Sequence, residues 1–116
     1  MTLDIVDAPL GDAPGLAVHG DIDLATAQDL DDAFADAIRV SGGVFVVDLS
    51  GVEFLDSSGL QVLMRARALL GREDRARAVV CPFGRVRRVF ELSGVSEVFA
   101  LYASREAALA ALIPAR

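Results

Sequence analysis

The sequence contains few of the residues from which disulfides and metal sites are built. It has one cysteine, Cys81, one histidine, His19, and no tryptophan among its 116 residues. A single cysteine excludes an internal disulfide, so we expect a reducing, cytoplasmic setting. No ligand cluster with the spacing of a zinc site accompanies the lone histidine, so we expect no metal and no other cofactor.

No long hydrophobic run is present, although hydrophobic residues make up 53% of the chain. A transmembrane helix needs roughly 18 or more consecutive apolar residues, so we do not expect insertion into a membrane. The first four residues (MTLD) lack the basic and then apolar order of a secretory signal. Length and composition predict one folded domain over residues 1–116.

Lysine is also absent, so arginine supplies the basic side chains of a chain with a formal net charge of −6. An acidic domain repels a phosphate backbone, so we do not expect nucleic acid as a partner. Acids dominate residues 4–36 and arginines dominate residues 65–88. This pattern is typical of two solvated faces, and it also fits two patches with opposite binding preferences.

Signatures of catalysis are missing too. The sequence contains no Gly-x-Ser-x-Gly elbow and no glycine-rich Walker loop. Ser57 has no plausible base partner, and we interpret His19 as a structural residue. The sequence therefore favours a binding module over an enzyme.

Strands and helices alternate in the predicted secondary structure. Runs rich in β-branched and aromatic residues predict strands at 3–6, 16–18, 44–49, 77–81 and 98–102. Periodic apolar positions predict helices at 26–40, 58–70, 84–93 and from 104 onward. A connection containing Pro9, Gly11, Pro14 and Gly15 makes the first two strands a hairpin. This order predicts an α/β fold with a mainly parallel mixed sheet, an initial hairpin and about four helices.

Two adjacent serines lie where a predicted buried strand gives way to a helix. The segment reads Asp-Ser-Ser-Gly-Leu at residues 56–60. The N-terminus of a helix offers free backbone N–H groups and the positive end of the helix dipole. A serine in this position can cap the helix, help to bind an anion or carry a phosphate.

Helix capping separates the two serines. Ser58 is followed three residues later by Gln61, which fits a capping box with Ser58 as the N-cap. Ser57 then lies just outside the helix with its hydroxyl free. Asp56 is an alternative cap for this helix, as Asp23 is for the first helix.

The same region resembles a known family. Residues 51–60 (GVEFLDSSGL) resemble the signature of anti-sigma factor antagonists, the single-domain proteins of the STAS family. Residues 20–23 (GDID) resemble the family's Gly-Glu-Leu-Asp hallmark, and residues 79–82 and 86–94 form a third match. The matches follow the family's order and spacing, so they imply a single STAS-like domain over residues 1–116.

The resemblance implies a phosphorylation site. Ser57 matches the family's phosphoacceptor, the serine that directly follows the aspartate. The family places the loop of Asp21 and Asp23 beside the acceptor, and Asp21 stands where the family has glutamate. Gly59, which has no side chain, is expected to let a partner approach closely. We therefore expect partner binding through Asp21, Asp23, Asp56, Ser57, Ser58 and Gly59.

The resemblance also implies partners. The unphosphorylated domain would bind an anti-sigma factor that is also a serine kinase, and would thereby free a sigma factor in bacterial stress response or sporulation. Phosphorylation of Ser57 would release the domain, and a phosphatase would restore it. Two alternatives stay open. One is a stand-alone STAS accessory subunit of a lipid or anion transport system. The other is an enzyme or small-molecule binder that uses the acidic loop and the helix N-terminus.

Overall fold

The computed structural model describes residues 3–112, and the predicted α/β class and element order are confirmed. The strands are β1 (Asp4–Asp7), β2 (Gly15–Ile22), β3 (Phe45–Leu55), β4 (Arg77–Val80) and β5 (Leu101–Tyr102). The helices are α1 (Ala27–Arg39), α2 (Ser57–Arg72), α3 (Arg85–Leu92) and α4 (Arg105–Leu112).

The strands form one sheet in the order β1-β2-β3-β4-β5. β1 pairs antiparallel with β2, and every other neighbouring pair is parallel. The sheet is therefore mixed and begins with the predicted hairpin, while each parallel connection passes through a helix. Because β2, β3 and β4 run in one direction, the loops that follow them meet at one edge. We call this the carboxyl edge, and the opposite edge the amino edge.

The main core lies between the sheet and helices α1, α2 and α3. The apolar face predicted for the first helix is buried, with Leu30, Phe34 and Ile38 inward. The third helix buries Val86 and Phe90, also as predicted. A second, smaller buried cluster brings α4 to the sheet through Leu10, Val46, Ala78, Val80 and Ala108. Neighbouring strand residues alternate between faces, so these two clusters cover both sides of the sheet.

The lengths of two strands differ from the prediction. β3 continues to Leu55 instead of ending at residue 49, because β2 stays paired with it through two register irregularities. β5 covers only Leu101–Tyr102 instead of 98–102. There the Val98 carbonyl accepts hydrogen bonds from Arg67 and Arg77, and Phe99 packs edge-on against Phe90. Because of these contacts, residues 98 and 99 do not pair with β4 as part of the strand.

A buried arginine stabilises the end of α1 at the amino edge, and no local sequence pattern predicts this role. Arg75 donates from Nε to the Gly43 carbonyl at 2.8 Å and from Nη1 to the Ile38 carbonyl at 2.8 Å. Its Nη2 donates to the Ser41 hydroxyl at 3.0 Å. A cation here satisfies carbonyl groups at the negative end of the helix dipole.

Candidate functional site

The carboxyl edge brings together the two segments that the sequence singled out. Ile22 pairs with Leu55 across β2 and β3, and the Asp56 amide donates to the Ile22 carbonyl at 3.2 Å. The residues that follow these strands are therefore neighbours. The loop containing Asp21 and Asp23 lies beside the start of α2, as the family resemblance implied.

Asp56 is the N-cap of α2, so the prediction that Ser58 caps this helix is wrong. The Asp56 Oδ1 atom accepts from the Ser58 amide at 2.9 Å and from the Gly59 amide at 3.2 Å. Asp56 has an extended backbone, and helical residues begin with Ser57. Ser58 lies inside the first turn, where its own amide needs an acceptor, so it cannot close a capping box with Gln61.

The Ser57 side chain has no structural task in the described part of the chain. It is exposed in the first position of α2. Within residues 3–112, no hydrogen bond joins its hydroxyl to another group. The predicted freedom of the Ser57 hydroxyl therefore holds, but the prediction that Ser57 lies outside the helix is wrong, because Asp56 is the cap and Ser57 is the first residue of α2. An exposed, unengaged hydroxyl at a helix N-terminus can accept a phosphoryl group or contact a partner.

Gly59 faces the interior, which differs from its predicted role in partner approach. It is buried, and a Cβ atom at this position would lie 2.7 Å from Ile22 Cγ2 and still closer to Leu55 Cδ1. Both contacts belong to the ends of the two strands that carry the site. Glycine therefore allows α2 to pack closely on β2 and β3, which sets the position of Ser57.

Asp23 shapes the loop between β2 and α1. Its Oδ1 accepts from the Ala25 amide at 2.9 Å and the Thr26 amide at 3.2 Å. The buried Thr26 hydroxyl donates to the Asp21 carbonyl at 2.8 Å and accepts from the Asp23 amide at 3.0 Å. Asp23 thus stabilises the turn that precedes α1, but the N-cap of this helix is Thr26, so the alternative prediction that Asp23 caps the first helix is wrong.

The carboxyl edge is acidic. Asp21, Asp23, Glu53 and Asp56 all lie at or near the ends of β2 and β3. None of the four forms a salt bridge within residues 3–112, where the ion pairs involve other acids. Their combined charge disfavours additional negative charge on a bound partner and attracts cationic side chains.

The remaining candidate residues have other places in the fold. His19 is exposed, and its ring packs over Gly51, where a Cβ atom would lie 2.8 Å from the ring Cε1. Cys81 lies in the core, and burial raises the pKa of its thiol to about 11, so it stays neutral. Residues 3–112 contain no group of three potential ligands placed to hold a metal ion. Across the same residues, no helix has the length and apolarity needed to cross a bilayer.

Comparison with known proteins agrees with this geometry. The family model described as "Mlab, STAS domain" matches residues 7–103. The anti-sigma-F factor antagonist RsfB of Mycobacterium tuberculosis is 33% identical over 109 residues, which cover 91% of this chain and 88% of the relative. The putative anti-sigma factor antagonist BtrV of Bordetella bronchiseptica is 31% identical over 112 residues, covering 96% and 92%.

A solved structure shows the same similarity in three dimensions. The crystal structure of an anti-sigma factor antagonist from Mycobacterium paratuberculosis superposes with a TM-score of 0.87 at 33% identity. The match covers 95% of this chain and 93% of that one. The fold and the match of the family model to residues 7–103 define a STAS-type domain, and the chain belongs to the STAS domain family.

Proposed function

We propose that this protein is an anti-sigma factor antagonist that is switched by phosphorylation of Ser57. Unphosphorylated, it binds an anti-sigma factor that is also a serine kinase, and phosphorylation by that kinase releases it. A phosphatase restores the binding form. The domain is a substrate and a ligand in this cycle and performs no catalysis itself. The relatives named above support the partner class.

One observation carries the proposal most directly: Asp56 caps α2, and the adjacent Ser57 hydroxyl is exposed and forms no hydrogen bond within residues 3–112. A kinase can reach such a hydroxyl without opening the fold. A phosphate there adds about −1.5 to −2 charges at pH 7. The helix N-terminus tolerates this charge locally, so the domain stays folded while its surface changes.

The acids of the carboxyl edge explain why the added charge matters. Asp21, Asp23 and Asp56 already make the surface negative, and a partner whose cations are matched to these acids has no further cation to compensate a dianion at Ser57. The new charge must then be desolvated without full compensation, which weakens binding. In this proposal the contact surface consists of Asp21, Asp23, Asp56, Ser57 and Ser58. Gly59 is buried beneath this surface and positions α2.

Phosphorylation mapping tests the proposal. The protein is incubated with its cognate anti-sigma factor kinase and ATP, and the modified residue is located by mass spectrometry. We expect one phosphate, on Ser57. Ser58→Ala should be phosphorylated like the parent, while Ser57→Ala should not be modified. A phosphate located on Ser58, or full modification of Ser57→Ala, would contradict the assignment.

A second candidate function is supported by the description of the matching family model, "Mlab, STAS domain". In this alternative the chain is a stand-alone accessory subunit of a lipid or anion transport system and binds an ATPase subunit. Such a subunit needs no cycle at Ser57. The same kinase assay separates the two functions, because the accessory subunit should remain unmodified and should bind its ATPase equally well with alanine or aspartate at position 57.

A further inference from the structure

Two arginines on a part of the domain remote from Ser57 donate to the same backbone carbonyl. Arg67 lies on α2, and Arg77 is the first residue of β4, at the amino edge. Arg67 Nε donates to the Val98 carbonyl at 3.0 Å, and Arg77 Nη2 donates to it at 2.9 Å. Because both donors bond one oxygen, the two guanidiniums are held side by side. Along α2, Arg67 lies roughly 15 Å from Ser57, so this pair is separate from the carboxyl edge.

No carboxylate compensates these two charges in the part of the chain that the structure describes. Every salt bridge found within residues 3–112 involves another arginine. Glu97 precedes Val98 in the chain, but it is exposed and forms no salt bridge within those residues either. Two like charges in close proximity repel each other, so the arrangement favours an anion that binds both guanidiniums.

The surroundings of the two arginines strengthen this preference. Both side chains are half-buried, and together with Leu63, Leu70 and Phe99 they line a depression of about 20 Å³. Apolar walls lower the local dielectric constant and make the interaction with an anion stronger than it is at an open surface. Burial, and then the charge of Arg67, lower the pKa of Arg77. An anion in contact with the pair would offset both effects, because an opposite charge favours the protonated form.

The pair also has hydrogen-bond donors to spare. A guanidinium carries several N–H donors in one plane, and within residues 3–112 the side chains of Arg67 and Arg77 each form a single hydrogen bond. The Arg77 Nε atom is buried and has no acceptor among the same residues. Arginine suits phosphate because several of its donors can bond several phosphate oxygens at once. Two positive charges also match a phosphate dianion better than a singly charged carboxylate.

We propose that Arg67 and Arg77 form a binding site for a phosphate group, with the Val98 carbonyl holding the two guanidiniums together. The ligand is a phosphate dianion, supplied either as free inorganic phosphate or as the phosphate group of a small monoester. The site does not involve Ser57 and goes beyond the proposed function.

Calorimetric titration of the full chain with inorganic phosphate tests the proposal, at constant ionic strength with chloride as the balancing anion. We expect saturable binding by the parent. Arg67→Met and Arg77→Met should each weaken it by about 10- to 100-fold, the loss expected when a charge-assisted hydrogen bond is removed. The matched control is Arg72→Met, which removes an exposed charge from the same helix. It should change the affinity by less than about twofold, because exposed charges are screened by water and salt.

Melting curves establish which variants keep the parent's fold. If Arg77→Met melts far below the parent, Arg67→Met and Arg67→Lys decide the question. Lysine keeps the charge, so Arg67→Lys should retain more affinity than Arg67→Met. Titration with glycerol phosphate distinguishes the two sources of the ligand. Binding as tight as that of inorganic phosphate, or tighter, indicates a monoester, and weaker binding indicates the free ion.

Three results would overturn the site. They are the absence of saturable phosphate binding by the parent, equally tight binding of acetate, and equal phosphate affinities of the parent and a folded Arg67→Met variant. Acetate should bind at least about 10-fold more weakly than phosphate, because it carries a single charge. None of these results bears on the switch at Ser57, because the titrations contain no anti-sigma factor.

Discussion

The two edges of the sheet use polar side chains in opposite ways. At the amino edge, Arg75 is buried and its guanidinium donates to four groups of the chain itself, the Gly43 and Ile38 carbonyls and the Ser41 and Glu73 side chains. At the carboxyl edge, Asp56 also serves the backbone, but the neighbouring Ser57 hydroxyl is exposed and has no partner within residues 3–112.

This contrast shows how stability and binding are kept apart in a small domain. At the amino edge, the Arg75 side chain forms hydrogen bonds within the domain and thereby stabilises the fold. At the carboxyl edge, Asp23 and Asp56 accept hydrogen bonds from backbone amides, and the Ser57 side chain stays exposed. Substitutions at the amino edge should therefore reduce stability, whereas substitutions of the exposed carboxyl-edge side chains should change binding with little effect on stability.

The largest effect is expected at Arg75. Arg75→Met keeps the aliphatic part of the side chain but leaves the Ile38 and Gly43 carbonyls and the Ser41 hydroxyl without their donor. We expect a loss of about 3 kcal/mol in the free energy of unfolding, measured by urea denaturation. Arg72→Met, at an exposed position of α2, is the control and should be nearly neutral. Equal stabilities of the two variants would remove the contrast between the edges.

Two glycines of α2 provide a sharper test at the carboxyl edge. Gly59→Ala forces a Cβ atom against Ile22 and Leu55, so we expect destabilisation by about 1–3 kcal/mol. Gly71→Ala adds the same methyl group in open space and should stabilise the helix by about 0.5–1 kcal/mol. Thermal melting measures both. A stabilised Gly59→Ala variant would mean that α2 does not depend on this close approach.

The identity of the helix cap is tested by a pair of alanine substitutions. Asp56→Ala removes the acceptor of the Ser58 and Gly59 amides and should cost about 0.5–2 kcal/mol. Ser58→Ala should cost less than about 0.5 kcal/mol, because the serine is not the cap. The reverse order in chemical denaturation would restore the capping box that the sequence suggested.

A smaller effect on stability is expected from Asp48, which is buried and forms an ion pair with Arg105, unlike the acids of the carboxyl edge. Burial alone raises the pKa of Asp48, but hydrogen bonds from Ser50 and the ion pair with Arg105 at 3.0 Å outweigh it and hold the pKa below its usual value of 3.8. The stabilisation from a depressed pKa is present above the unfolded-state pKa and is lost as the pH falls through the folded-state pKa.

Asp48→Asn should therefore show a weaker loss of stability than the parent when the pH is lowered below about 4. Denaturation curves collected across the acid range measure the two slopes. Parallel curves for the parent and the variant would mean that the Asp48–Arg105 pair does not contribute to acid unfolding.

Much of the fold was predictable because its signals are local. Apolar periodicity located each helix, and the alternation of elements indicated a mainly parallel sheet. The extension of β3 to Leu55 was not predictable, because it depends on pairing with β2 through two irregularities. The role of Arg75 was equally hidden, since it contacts residues more than thirty positions away in the chain.

The sequence predicted which residues make up the candidate site. It did not predict which of them caps α2 and which faces the core. The segment at 56–60 signals a helix start, yet both Asp56 and Ser58 are good caps, and sequence alone does not decide which of them faces the free amides. From its sequence neighbours, Gly59 was expected to lie at the surface and to let a partner approach. Only its packing against Ile22 shows that it faces the interior.

In the proposed function, Ser57 controls binding without supporting the fold. Calorimetric titration of the cognate anti-sigma factor with the parent, phosphorylated parent, Ser57→Ala and Ser57→Asp forms tests it most directly. We expect the parent and Ser57→Ala to bind alike. Phosphorylation should weaken binding by about 2–5 kcal/mol, and Ser57→Asp by less, because aspartate carries less charge. All four forms should have similar melting temperatures. Equal affinities for the parent, phosphorylated and Ser57→Asp forms would contradict the account.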